Sequence, residues 1–584
     1  MTRLLSRSPT FTQLENRVTA LEDADPTVAN VRLLGGVTDG SADSRAAFVL
    51  ADSIGAITVP RGSYLIGSDL TLTNDIFFAP GAMLVIPDGV TVTLNGHVDA
   101  GIQQIFACSG TGKVVLGLSK NYIGFAEWWG AITNNSTSPV KLANDAAISA
   151  AIVACPVVQL LSNDYFLSAT LKITTSHRIL RGVGKHWSAI GDCTRLIGNV
   201  ATPTADIVQI GPDTNPGGGP NSFVQEVHIT DLSIVRDGVP TGNAVYKTCP
   251  AGLRFQFCLY CSGERLWIAE NSIGVMFAGA VQTRVREVFS FRSLPGHDPA
   301  NDPFFGFFYD GSAAIGLAGG NASVYETDCN TAVGGSPALT ISAHSYGYLG
   351  YTDWFVERPE STATQYGIVL DGTGASGTGT QDISISHSVF DQCLISGYKI
   401  LGGGAQTIIN IDDPYVALNT GSTTGVAAFD IESNAGIIDI TGGQILGGLA
   451  TTGDVGFKIV NSSGVSVRGT LIRECKAPVQ ISGSSNCDIN PRVNNPTVGT
   501  SGAGAIAVTG TNSHLRFSPN ITGGAGVFGP GVSFAGTTTT DSTVDVSGID
   551  PTSCTGGTKF SCNGTAVTTA GAVNTNCLAQ GNFN

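Results

Sequence analysis

The chain is short of charge. Lys, Arg, Asp and Glu make up 13 % of its 584 residues, against roughly 25 % in average soluble proteins. Basic residues are the scarcer kind: 30 Lys and Arg against 45 Asp and Glu leave a net charge of −15. That balance excludes a nucleic-acid binder, which needs a basic face. It also removes any general attraction to an acidic polymer, so binding one requires local Arg or Lys. Long apolar runs are missing too. No stretch approaches the ~18 residues of a membrane span. The opening segment, broken by Arg3, Arg7, Glu15 and Arg17, holds no apolar run suited to a secretory signal. Cys258 and Cys261 form a lone C-x-x-C among 13 cysteines. A second pair at ligand spacing is absent, which argues against zinc and for buried free thiols made in a reducing cytoplasm. No cofactor and no metal site are expected. The adjoining Asp412 and Asp413 are the only hint of a calcium ligand pair, without an Asp ladder around them.

What the chain has in excess is glycine, 76 residues, about twice the usual ~7 %. Few charges and many glycines favour an extended architecture with many turns and little helical surface. Recurrent β-branched runs weigh against disorder. Two strand-rich blocks are visible. Each opens with a short helix-like segment that runs into a strand: GVTDGSADSRAAF before AITVPRGSYLIG, then NDAAISAAI before VVQLLSNDYFLSATLKI. Between them lies a joint, Gln103-Gln104-Ile105-Phe106 followed by Phe125-Ala126-Glu127-Trp128-Trp129-Gly130-Ala131.

Four regions follow. Residues 1–29 carry Phe11, Leu14, Val18 and Leu21 at 3-4-3 spacing, the a/d rhythm of a coiled coil. They read as a helical oligomerisation and attachment segment, or as a single amphipathic helix packed on its own domain. Residues 30–125 form a small β-rich head domain, with short strands bounded by Pro-Gly, Pro-Asp-Gly and Asn-Gly turns. In residues 126–490 the units VQEVHITDLSIVRDG, CSGERLWIAENSIGVMFAG, QDISISHSVFDQCLISGYKILGG and GVSVRGTLIRECKAPVQISG overlay as strand, acid or amide turn, strand and glycine. Starts recur every 20–35 residues or so, the signature of a solenoid. The expected fold is all-β, a right-handed parallel β-helix. Cys329, Cys393 and Cys475 fall at similar repeat positions and predict a buried thiol ladder. Residues 491–584 are poor in charge and rich in Thr, Gly, Ser, Val and Asn. They predict a β-rich region for trimerisation or carbohydrate binding. A solenoid also exposes strand edges that must be capped, and trimerisation is one solution.

The joint QQIF…EWWGA, preceded by PGAMLVIPDGVTVTLNG and followed by the solenoid repeats, resembles bacteriophage tailspike and tail-fibre depolymerases with a pectate-lyase-like β-helix. Spikes of phages infecting encapsulated enterobacteria look most similar. The resemblance covers roughly residues 30–480. It implies a homotrimer on the virion, attached to the phage tail or another tail protein through its N-terminus, that binds and cleaves host capsular polysaccharide. It implies no membrane or nucleic-acid partner and no particular catalytic residues.

Those must come from chemistry. Glycoside hydrolysis uses two carboxyl groups, about 5 Å apart for retention and roughly 6.5–9.5 Å for inversion. Acids on adjacent coils stand about one strand spacing apart, whereas acids at i and i+4 on one strand are ~13 Å apart. Partners should therefore come from different coils or different chains. The richest segment runs from His344 to Glu360, with five aromatic rings, three carboxylates, a histidine and an arginine in seventeen residues. Asp353 and Glu357 within it, and Asp391 on the next coil, are the candidate catalytic acids. His344, Tyr346, Tyr348, Tyr351, Trp354, Arg358 and the earlier Asp310 are candidate substrate contacts, since aromatic faces stack on sugar rings and charged tips bind hydroxyls or acidic groups. Glu326 lies nearby. The competing structural reading is that Glu270, Asp328, Asp391 and Glu474 are turn acids bonded to backbone amides. A lyase working by β-elimination, with His344, Tyr346 or Tyr351 beside Arg358, is the chemical alternative. A non-catalytic receptor-binding spike is the alternative of a different class.

Overall fold

Stacked coils organise this chain. The computed structural model describes residues 28–117, 123–186, 192–198, 205–217, 220–237, 249–292, 304–310, 324–333, 343–349, 353–372, 382–402, 404–405, 407–419, 426–448, 454–495, 504–523, 530–554, 557–562, 565–567, 571–574 and 577–580. Among these the protein is mainly β, with long parallel sheets and two α-helices, Arg45–Ile54 and Ser138–Ala154. The arrangement is that of a β-helix. The heptad positions Phe11, Leu14, Val18 and Leu21 lie outside the described residues. Two compact units divide the chain: Met1–Ile197 with Val227–Leu232, and Gly198–Glu226 with Ser233–Asn584.

In the first unit, the strands from Val28–Asn30 to Lys113–Leu116 make three small parallel sheets. In its later coils register advances by 22 residues, pairing Leu70 with Val92, Ile76 with Val98 and Leu84 with Phe106. Those six side chains are all buried, so each coil covers the apolar row of the coil before it. Helix Arg45–Ile54 buries Ala47, Phe48 and Ala51, and Phe48 meets Tyr64 edge to face at 5.8 Å. The EWWGA joint is a 3₁₀ turn, Ala126–Trp129, ended by Gly130 at φ 93°. Trp129 packs 5.1 Å from Phe106, and the Trp128 indole N–H donates to the Gly101 carbonyl at 3.1 Å. Glu127, also buried, accepts the Tyr165 hydroxyl, and burial raises its pKa. The joint is thus an aromatic plug at the end of the first strand block. Helix Ser138–Ala154 follows, and its fully buried Asn144 holds both backbone groups of Ile132, at 2.7 and 2.9 Å.

In the second unit each coil lays down three strands. Face A stacks Thr283–Arg286, Val324–Thr327, Asp353–Glu357, Asp382–Ser386, Ile408–Asp412 and Ile437–Thr441. Face B stacks Phe289–Arg292, Asn330–Val333, Glu360–Thr362, Val389–Cys393 and Tyr415–Leu418. Face C stacks Phe304–Asp310, Ala343–Leu349, Tyr366–Asp371, Ser396–Leu401, Ala427–Glu432 and Val455–Val460. Inward side chains repeat along the axis. Ile383, Ile409 and Ile438 form one buried row on face A. On face C the Tyr398, Phe429 and Phe457 rings stack at 4.4 and 4.7 Å. Each such pair contributes about 0.5–1.5 kcal/mol beyond its buried area.

One residue turns face A into face B in every coil. Arg265, Glu287, Asp328, Arg358, His387 and Asp413 hold this corner with φ between 49° and 53°, and Gly442 and Gly469 continue it. The left-handed conformation costs a non-glycine residue roughly 1–2 kcal/mol. A ladder of backbone hydrogen bonds offsets it: the amides of Glu287, Asp328, Arg358, His387 and Asp413 donate to the carbonyls of Thr327, Glu357, Ser386, Asp412 and Thr441 at 2.8–3.0 Å.

The expected thiol ladder does not form. Cys329, Cys393 and Cys475 are all buried. Cys329, however, follows the left-handed Asp328 at the A–B corner, while Cys393 and Cys475 follow Gln392 and Glu474 where face B ends. What they share is local: each comes directly after a left-handed residue and turns into the core. Parallel pairing also continues beyond residue 490, through Ile506–Ser513 and Val532–Thr540 to Phe560–Cys562 on face C.

Candidate functional site

Strand alternation decides which of the candidate residues meet solvent. In Asp353–Glu357 the pattern of exposure sends Asp353, Phe355 and Glu357 outward and buries Trp354 and Val356. Trp354 is 1 % exposed, in a core row between Val324 and Ile383. The expectation that it stacks on a sugar is therefore corrected: with Asp353 facing out, its neighbour must face in.

Asp353 and Glu357 sit at opposite ends of their strand, ~13 Å apart, and do not pair with each other. Asp391 lies on face B, in Val389–Cys393, and the corner residue of each coil separates it from face A. The three acids do not share a face. Asp391 is a strand residue, whereas Glu270, Asp328 and Glu474 are left-handed turn residues at φ 62°, 53° and 60°. Arg358 is engaged at its own corner. Its guanidinium pairs with Asp328 at 2.5 Å and with Glu357 at 3.2 Å, and it holds the Asp328 carboxyl below the usual range.

The remaining candidates belong to face C. Asp310 ends the strand Phe304–Asp310 and is 6 % exposed. Tyr346 stands in register between Phe307 and Ile368, and Tyr348 between Tyr309 and Leu370, positions whose described occupants are all buried. His344 lies in register between Phe305 and Tyr366. Tyr351 lies outside the described residues. Glu326 is 1 % exposed on an inner row between Val285 and Val356. Burial pushes its carboxyl up to about 8, and the Trp354 indole N–H exerts a smaller opposing pull.

One acid escaped the sequence reading. Asp382 opens the next strand of face A, and parallel register sets it directly opposite Asp353. Both are partly exposed, and one strand spacing, ~4.8 Å, separates their backbones. The available signal was the 29-residue step that also relates Glu357 to Ser386. Face A next to this pair carries Phe355, Ser384 and Ser386, all at least partly exposed. Two carboxyl groups at this spacing can share proton-donor and nucleophile roles across one bond. Among the described residues no group of three or more His, Cys, Asp or Glu is placed to hold a metal ion.

No family model matches the chain, and no curated protein matches it. Solved structures do. A mutant tailspike protein of E. coli bacteriophage HK620, in complex with a pentasaccharide, aligns with a TM-score of 0.51 at 12 % identity, covering 72 % of this chain and 74 % of that one. Tailspike protein 3 of bacteriophage CBA120 aligns with a TM-score of 0.40 at 12 % identity, covering 75 % and 59 %. A DFA-IIIase from Arthrobacter chlorophenolicus A6, in complex with GF2, gives 0.39 at 12 %, covering 68 % and 94 %. In fold, the chain is similar to the HK620 tailspike over most of its length.

Proposed function

We propose that the protein is a phage tailspike that binds a host capsular polysaccharide and cleaves it by glycoside hydrolysis, with Asp353 and Asp382 as the carboxylate pair. The observation that carries this reading is their register: two outward carboxylates face each other across neighbouring coils. One carboxyl protonates the leaving oxygen while the other attacks the anomeric carbon as the glycosidic bond breaks; the first then takes a proton from the water that displaces the enzyme carboxylate and frees the new reducing end. Glu357, at the far end of the strand and tied to Arg358, contacts the glycan away from the scissile bond. The similarity in fold to a tailspike that holds a pentasaccharide supports the assignment. In this reading the active protein is a homotrimer on the virion. Residues 1–29 join it to the tail, 30–125 form a head, 126–490 carry the site, and 491–584 hold the chains together or bind carbohydrate.

The test is digestion of purified capsular polysaccharides by the full-length protein. Hydrolysis lowers viscosity and creates reducing ends without the ultraviolet absorbance of an unsaturated uronate. Appearance of that absorbance would replace the hydrolase with a lyase. Binding without any loss of viscosity would replace it with a receptor-binding spike.

A further inference from the structure

The outward middle row of face A has a composition that the acid pair does not explain. From coil to coil it runs Arg284, Tyr325, Phe355, Ser384 and Asn410. The Tyr325 and Phe355 rings are stacked, with centroids 5.2 Å apart and planes 11° from parallel, and both remain partly exposed. Arg284 lies above them, its guanidinium carbon 5.9 Å from the Tyr325 centroid. The row therefore presents a cation, two aromatic rings, a hydroxyl and an amide, one per coil.

The two arginines of the strand Thr283–Arg286 differ in their partners. Arg286 meets Glu264 at 3.4 Å and Glu287 at 3.6 Å. Arg284 is exposed and, among the described residues, has no carboxylate within ion-pair distance. Arg358, the other arginine considered for substrate, is already neutralised by Asp328 and Glu357. A guanidinium left without an acid partner in a chain of net charge −15 is a local exception to a field that repels anions. Its planar fork matches a carboxylate. The rings next to it match the apolar face of a pyranose. Phe355 is two residues from Asp353, ~7 Å along the strand, so a glycan lying on this row passes beside the acid pair.

We propose that the row Arg284–Tyr325–Phe355 is a subsite for an acidic sugar, with a carboxylate on Arg284 and the sugar chain stacked on the two rings. This rests on the glycan-cleaving reading and adds the class of glycan: one bearing a uronate or a pyruvate acetal. Arg284 supplies charge recognition, and Tyr325 and Phe355 supply stacking. The same row continues into Ser384 and Asn410, whose polar tips suit sugar hydroxyls.

Binding of the full-length protein to a panel of purified capsular polysaccharides, some neutral, some carrying uronates and some carrying pyruvate acetals, tests it. The bound members are expected to be acidic. For a uronate, carbodiimide activation and borohydride reduction neutralise the carboxyl group; for a pyruvate acetal, mild acid removes it. Either treatment should weaken binding by about 10-fold or more for the wild type and by about 2-fold or less for Arg284→Gln. Arg284→Lys should restore part of the discrimination. Tyr325→Ala should weaken binding to treated and untreated polymer alike. Selective binding and cleavage of neutral polymers would overturn the subsite and leave the hydrolase reading intact. Equal sensitivity of wild type and Arg284→Gln to carboxyl removal would also overturn it. Binding to no member of the panel would overturn both readings.

Discussion

Asp353 and Asp382 are opposed in parallel register on neighbouring coils of face A. Their backbones are ~4.8 Å apart, close to the carboxyl separation of about 5–5.5 Å found in retaining glycosidases. Replacing either with Asn should lower the rate of polysaccharide cleavage by about 100-fold or more while leaving glycan affinity within a few fold. Nuclear magnetic resonance of the first-formed product should show retained anomeric configuration. Inversion, or a full rate in either variant, would remove this pair from the chemistry.

Trp354 makes the contrasting case one residue away. It is buried between Val324 and Ile383, so Trp354→Ala should cost about 3–5 kcal/mol of stability through the cavity it leaves. Trp354→Phe should keep glycan affinity unchanged. Denaturation and binding measured on the same preparations separate the two effects. A large affinity loss in a stably folded Trp354→Phe would return the indole to the binding surface.

Glu326 gives the fold a pH dependence of its own. Burial lifts its carboxyl to about 8 in the folded chain, whereas an unfolded Glu titrates near ~4.3. Between those values the folded state holds one more proton than the unfolded state, so stability falls as pH rises through that window. The full difference, on the order of 5 kcal/mol, is reached above pH ~8. Glu326→Gln should flatten the profile, with the gap between variant and wild type widening from pH 5 to pH 9 in chemical denaturation. Parallel profiles would show that the carboxyl is solvated.

The A–B corner offers a stabilisation test at an exposed residue. His387 holds φ 52°, where glycine avoids a cost of about 1–2 kcal/mol. His387→Gly should raise thermal stability, and His387→Val should lower it, with cleavage unaffected in both. If the two variants melt alike, the ladder and not the residue sets the corner.

Coils were more legible in the sequence than the site, and particular residues show why. Short β-branched runs between glycine turns suffice to announce stacked strands, because every coil buries the same kind of side chain. The EWWGA segment marked the joint between the two blocks, where its two adjacent rings are buried, Trp129 against Phe106. Facing is a finer matter. Asp353 and Trp354 are neighbours with opposite fates, and only the register of their strand separates them. The acids of the A–B corner have the same composition as acids of a cleft. Asp328 and Asp353 become distinguishable once one is seen to hold a left-handed turn and the other to open a strand. Asp391 stands where the other repeats carry an acid, whereas Asp382 lies at the start of its strand, one 29-residue step beyond Asp353, a place that no recurring acid marks.

Face A also fixes the unit in which this chain can change. From Asp353 to Asp382 and from Ile408 to Ile437 the step is 29 residues, while from Asp382 to Ile408 it is 26, yet the strands themselves stay aligned. On these face A strands the surplus is stored between strands, whereas on face B a register shift within Val389–Cys393 takes up one residue. Inserting or deleting a whole coil leaves both flanking coils with equivalent hydrogen-bonding partners, whereas a single residue added inside a strand turns one row of the core outward unless a bulge absorbs it. The second unit can therefore evolve like a stack of interchangeable plates, gaining or losing surface rows in increments of ~4.8 Å without redesigning the rows that remain.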